Sequence, residues 1–349
     1  MRLSTLPSRR PCRERGSPQR ASLRRAWAGT RIAAVVLAAA SGLLPGAAAA
    51  HDTWLAPLPA ARPGELRLAL GTGNRFPVQE TAVARQLLAA AACRGGDGGL
   101  QDTPGAQVGK ESPRAPGVLG VRGPAGAIRP LQPRREAAQA LELALPAAGA
   151  ALTCWARTAP LQITLPPDKV AVYLDEIRAS EPVRQRAARL AARGVAWQER
   201  YTKHARLEWV DGEGELGGAG EHAAAPRPAP MALDIVPDRA RPAVGQAWGA
   251  TVLRDGEPLP RFSVEFVHAD TGLGFWLRTD DAGRVRVRPS LPGAWLLRGT
   301  DLRPHPTQLD AWDSRFVTLA VQVAPGPRPV PDAVASREGS SATGAPAAR

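Results

Sequence analysis

The sequence predicts a mainly β protein of two β-rich domains, the C-terminal one an immunoglobulin-like sandwich, with a helical segment at about 168–206. Three observations predict it. Apolar residues alternate with period two through most apolar runs, helical spacing is confined to that one segment, and turn signals punctuate the chain after residue 230. A chain of 349 residues suggests about two domains and a sizeable core. With 44% hydrophobic and 22% charged residues it is neither wholly disordered nor a polytopic membrane protein.

The first element is an export signal at 1–50. It carries nine Arg and one acid, Glu14, so it holds +8 of the net +13 and leaves +5 for the rest. Most of the basicity thus lies in a segment expected to be removed, which argues against a nucleic-acid partner. From Ile32 to Ala50 the chain is uncharged, with Pro45-Gly46 before a run of small residues, as a secretory signal requires. The stretch is also long enough to be an uncleaved membrane anchor. Cleavage gives a periplasmic protein, and cysteine usage agrees. Cys12 leaves with the signal, and Cys93 and Cys154 remain as an even pair expected to form a structural disulfide.

The mature chain then reads in order. Leu66, Leu68 and Leu70 alternate as a half-buried strand that runs into GTGNRFPVQE (71–80), where Gly71 and Gly73 suit a turn or a close backbone approach. Residues 94–135 are rich in Gly, Pro and Arg and read as a long loop. Strands are expected at 139–145 and through Leu152 and Cys154. Val170, Leu174 and Ile177 switch to helical spacing after Pro167, and a second helical run covers about Pro182 to Arg206, interrupted at Gly194. On that helix Trp197, Tyr201 and His204 would share one face.

These elements make an N-terminal domain at 51–210. Residues 211–230 form a Gly/Ala/Pro linker, 231–324 the sandwich, and 325–349 a tail expected to be disordered. Within the sandwich, Leu233/Ile235, Trp248/Ala250/Val252 and Phe262/Val264/Phe266 alternate. Further strands fit 275–277, 285–287, 295–297 and 316–323, with Asp255-Gly256 and Asp280–Gly283 as turns.

No GxSxG, Walker loop, HExxH or CxxC is present, nor a GxGxxG between strand and helix, and no catalytic residue is assigned. The informative feature is Ala48-x-Ala50. Cleavage there makes His51 the mature terminus, whose α-amine and imidazole form a bidentate chelate for nickel, cobalt or copper. Asp52 could add an oxygen or orient the ring, and His204 is the chosen partner among the remaining histidines. His204 as a core-edge residue and His51 as a plain strand start are the blander alternatives.

HDTW, GTGNRFPVQE, LPPDKVAVYLDEI, WQERYTKHARLEW, LRDGEPLPRFSVEF, TDDAGRVRV, PGAWLLRGTD and WDSRFVTLAVQV together resemble the bacterial domain-of-unknown-function 4198 family. Its members are exported proteins often labelled as periplasmic components of cobalt or nickel uptake. The resemblance covers roughly 51–324. It implies a β-rich fold with a C-terminal carboxypeptidase-regulatory or immunoglobulin-like module. The family's mature start is His-Asp-aromatic-Trp; His51, Asp52 and Trp54 match it, and Thr53 departs from it. The expected function is therefore binding or delivery of a transition metal, with a metal-uptake transporter or another envelope protein as partner. A metal-free envelope scaffold is the alternative, and a histidine-brace copper enzyme a minor one.

Overall fold

The computed structural model describes residues 51–95, 126–146, 148, 151–210 and 225–326. The expected signal at 1–50, most of the expected loop at 94–135, most of the expected linker at 211–230 and nearly all of the expected tail at 325–349 lie outside the described residues.

The chain is mainly β. In order it forms β1 (Asp52–Leu58), β2 (Leu66–Gly73), β3 (Thr81–Ala82), β4 (Leu88–Gly95), β5 (Ile128–Pro130), β6 (Gln132–Glu136), β7 (Leu141–Leu145), β8 (Ala151–Thr158) and β9 (Leu161–Leu165). Helices α1 (Pro167–Glu176) and α2 (Glu181–Ala192) follow, then β10 (Trp197–Val210). The remaining strands are β11 (Leu233–Pro237), β12 (Trp248–Arg254), β13 (Glu257–Pro258), β14 (Ser263–His268), β15 (Gly274–Arg278), β16 (Arg284–Val287), β17 (Gly293–Pro304) and β18 (Trp312–Val323).

A nine-stranded sheet, ordered β15-β14-β17-β18-β10-β8-β4-β5 with β9 also on β10, is the centre of the molecule. Its two faces are covered by different layers. On one face lie the five-stranded sheet β1-β2-β7-β6 (with β3 on β2) and, further along, the two helices. Leu68, Leu141 and Leu143 meet Ala205, Leu207 and Ala320 there, while Tyr173 and Leu190 meet Trp197 and Trp312. On the other face lies the four-stranded sheet of β11, β12, β13 and β16, where Leu233, Ile235 and Trp248 pack on Val264, Leu297 and Leu319. Apolar side chains on both faces of β17 and β18 are what let one sheet serve two cores.

The central sheet crosses the boundary expected at 211–230. β18, from the C-terminal segment, runs parallel to β10 from the N-terminal one, with His204 opposite Val317. The described residues all belong to one compact unit, Ala47–Arg349. The expected sandwich of 231–324 therefore shares its larger sheet with the segment before it.

Two further expectations need correction. Helical structure ends at Ala192, and after Gly194 (φ 73) the run Trp197–Val210 is a strand. Pairing with β8 and β9 on one side and β18 on the other outweighs a local spacing that fits a helix. The end of the expected loop at 94–135 is also structured, since β5 and β6 occupy 128–136 as short edge strands.

Other local signals are realised. Asp255 (φ 51) and Gly256 (φ 87) make the two-residue turn between β12 and β13, both in the left-handed region that such hairpins require. Cys93 and Cys154 stand directly opposite each other on β4 and β8 and form a disulfide, with both residues fully buried. Beside them the central sheet carries a buried ionic group. Arg206 bridges Glu208 (2.7 Å) and Asp234 (2.8 Å) and also donates to the Arg227 carbonyl (2.9 Å), so it ties β10 to β11 and to the segment before it.

Candidate functional site

The site is the start of β1, which lies across the central sheet. His51 is half-buried, and its carbonyl oxygen accepts a 2.6 Å hydrogen bond from Lys203 Nζ on β10. The Asp52 carboxylate is buried and paired with Arg298 on β17, whose Nε also donates to Glu265 on β14 at 2.6 Å. The Thr53 carbonyl accepts from Thr318 Oγ1 on β18 at 2.7 Å, and the Thr53 and Thr72 hydroxyls share a 2.7 Å bond. Three consecutive residues are thus each held by a side chain of a different central strand.

Trp54 completes the anchor. It is 1% exposed, stacks edge-on with Phe76 at 5.7 Å, and its carbonyl takes a 3.0 Å bond from Gln79 Nε2. This explains the glycines of GTGNRFPVQE. A Cβ on Gly73 would stand 2.4 Å from the Val78 carbonyl oxygen and 3.0 Å from the Trp54 ring. Only a glycine lets the loop close over the tryptophan.

Burial sets the electrostatics. It pushes the Asp52 carboxyl up, against the pull of the Arg298 guanidinium. It also lowers Lys203 to about 8, with the attraction of Asp52 acting in the opposite sense. Lys203, Arg298, Asp52 and Glu265 balance in charge, so the group carries no large net field.

His204 is elsewhere. On a strand, neighbouring side chains point to opposite faces. Lys203 reaches β1 on one face, so His204 belongs to the face that Arg206 and Glu208 share. It is 1% exposed, and its Nδ1 donates to the Phe316 carbonyl at 3.1 Å. Nε2 is then the unprotonated nitrogen of a neutral ring, buried and without a hydrogen bond. The structure does not bring His204 to His51, and the shared helix face with Trp197 and Tyr201 does not exist. His268 also points to that second face, against Trp295, with Nε2 bonded to the Pro292 carbonyl at 2.9 Å. His305 uses Nδ1 to hold the backbone N–H of Gln308 at 3.1 Å, and His222 lies outside the described residues.

Burial lowers His204 to about 4, and the sign of its effect on stability follows. The unfolded state takes up a proton near 6.5 that the native ring refuses until about 4, so stability falls as pH drops between those values. The contribution is on the order of 3 kcal/mol. Denaturant unfolding followed across that range should show the loss in the wild type and a much flatter profile in His204→Phe. Parallel profiles would contradict it.

As a metal centre, the described residues contain no group of three or more His, Cys, Asp or Glu side chains arranged to hold an ion. Asp52 is committed to Arg298. What the start of β1 itself offers is the half-buried imidazole of His51. Lys203, Arg298 and Glu265 are the members of the site that sequence reasoning missed. Their contacts join residues up to 246 positions apart, and no local signal marks them.

Family models, curated proteins and solved structures were all compared with the chain, and none matches. Among the described residues no helix is long and apolar enough to cross a membrane.

Proposed function

We propose that this is an exported periplasmic protein of the family it resembles, holding nickel, cobalt or copper transiently through a processed N-terminal His51 and passing it to a metal-uptake transporter or another envelope protein. One observation supports the reading above the others. The half-buried His51 stands at the head of a strand whose first residues are pinned by Lys203, Arg298 and Thr318. A terminus held in this way presents its nitrogens at a defined place, where a loose tail would not.

Two protein nitrogens leave the remaining coordination positions of a transition metal to water or to a receiving partner's donors, which suits handover better than storage. Asp52 serves the site by anchoring it, through Arg298, and not as a ligand. His204 plays no part.

The test is competitive titration with Ni²⁺, Co²⁺ and Cu²⁺ of protein recovered from the periplasm, its N-terminus checked by mass. One equivalent should bind to the wild type and to His204→Phe, and His51→Ala should lose at least about tenfold in affinity. Equal affinity in His51→Ala would overturn the reading.

A further inference from the structure

β15 (Gly274–Arg278) is an edge of the nine-stranded sheet, and among the described residues no strand lies on its outer side. β5, at the opposite end of that sheet, closes in Pro130, whereas β15 contains no proline to block a further strand. The ladder with β14 decides which backbone groups are left over. The Leu273 carbonyl accepts from the His268 amide at 3.0 Å, and the Thr279 amide donates to the Phe262 carbonyl at 2.9 Å. Odd-numbered residues therefore turn their backbone groups inward, and Gly274, Trp276 and Arg278 turn theirs outward.

The side chains of this edge are open in the same way. On one face Leu273 is 69% exposed and Phe275 41% exposed. On the other face Trp276 lies opposite Glu265 of β14, which holds Arg298 through Oε2. Glu265 Oε1 lies 3.0 Å from the place that a Cβ on Gly274 would occupy. With no side chain at that position, the oxygen can be reached from beyond the edge.

We propose that β15 pairs antiparallel with β15 of a second copy of this chain, about a two-fold axis at Trp276, and joins two nine-stranded sheets into one. The strand is self-complementary in this register. Trp276 exchanges backbone hydrogen bonds with its counterpart, and Gly274 does so with Arg278 of the second copy. That arginine then reaches over Gly274 to Glu265 Oε1, and symmetry repeats the ion pair. On the opposite face Phe275 meets Leu277 of the second copy in the closer, non-hydrogen-bonded type of pair. Any other axis within the strand pairs fewer outward residues and takes Arg278 away from Gly274. An exposed arginine ordinarily guards a sheet edge, but here its own register supplies a carboxylate. A five-residue ladder covers less than the roughly 1,200–2,000 Å² of a standard interface, so a dissociation constant of about 10 µM is expected. The inference is independent of the metal reading.

The experiment is sedimentation equilibrium from about 1 to 200 µM on the exported protein, made with Cys12→Ser so that any introduced thiol is the only free one. The wild type should pass from monomer to dimer over that range. Arg278→Glu sets a carboxylate against Glu265 and should weaken the dimer at least about tenfold, while Arg278→Lys should stay within about threefold of the wild type. A mild thiol oxidant should link Trp276→Cys into a covalent dimer, because directly opposed residues of this pair type stand about 5.5 Å apart at Cα, which suits a disulfide. Phe275→Cys, which faces Leu277, should link far less. A wild type monomeric at the highest concentration, an Arg278→Glu chain that associates as the wild type does, or a Trp276→Cys chain that links no better than Phe275→Cys would each overturn the proposal.

Discussion

Arg206→Met is expected to lower the unfolding free energy by about 3–5 kcal/mol, the largest effect of any single substitution considered for this chain. Arg206 is fully buried and meets two buried carboxylates, Glu208 at 2.7 Å and Asp234 at 2.8 Å. Burial already pushes Glu208 up, and Arg206 is the first of the groups that oppose it. Once the cation is gone, two acids are left in a dry site. Their remaining donors are Thr153 Oγ1 on Glu208 and the Ala229 amide on Asp234, both at 2.8 Å, and neither carries charge. The variant should also loosen the segment before β11, because Arg206 holds the Arg227 carbonyl at 2.9 Å.

The magnitude belongs to breaking the group, not to having it. Replacing all three side chains by apolar ones of similar volume should recover most of the loss, since a buried ionic group gains little net energy over packed hydrocarbon. Guanidinium unfolding of the single and triple variants separates the two quantities. A loss under about 1 kcal/mol in Arg206→Met would mean that water reaches the carboxylates.

Removal of the Cys93–Cys154 disulfide is expected to cost about 4 kcal/mol for a sequence separation of 61. The bridge joins directly opposed positions of β4 and β8 inside the central sheet. The chain between them makes β5 and β6 and returns through β7, so the crosslink removes freedom from a long stretch of the unfolded chain. Cys93→Ala/Cys154→Ala should unfold at lower denaturant than the oxidised wild type, and reductant should shift the wild type but not the variant. If the double variant matched the wild type in stability, loop closure would not be what the bridge contributes.

The parts of this fold legible in the sequence are those set by neighbours in the chain. Alternation placed β2 at Leu66–Leu70, β12 at Trp248–Val252 and β18 at Phe316–Val323, because a half-buried strand must send every second side chain inward. Asp255-Gly256 marked its hairpin by the backbone angles the turn requires. Pro167 marked the start of α1, since its ring suits a first helical turn. The expected pairing of Cys93 with Cys154 is the one formed, between directly opposed positions of β4 and β8.

The parts that failed show where local reasoning stops. Trp197, Tyr201 and His204 fit helical spacing as well as any real helix here, yet they lie on a strand held by neighbours on both sides. Nothing near residue 200 announces that β18, more than a hundred positions later, will lie beside it. The error carried into the site, because a strand turns His204 away from the face that Lys203 shares with His51.

The amino-acid sequence by itself determined that the chain is mainly β, where most strands and turns fall, and which cysteines pair. Only the tertiary structure decided that one sheet serves both segments, that His204 is a buried neutral ring on the wrong side, and that Lys203, Arg298 and Glu265 hold the start of β1. The reason is physical. Alternation and turn angles are properties of a few consecutive residues, whereas ion pairs and sheet edges are settled by segments that meet only after the chain has folded.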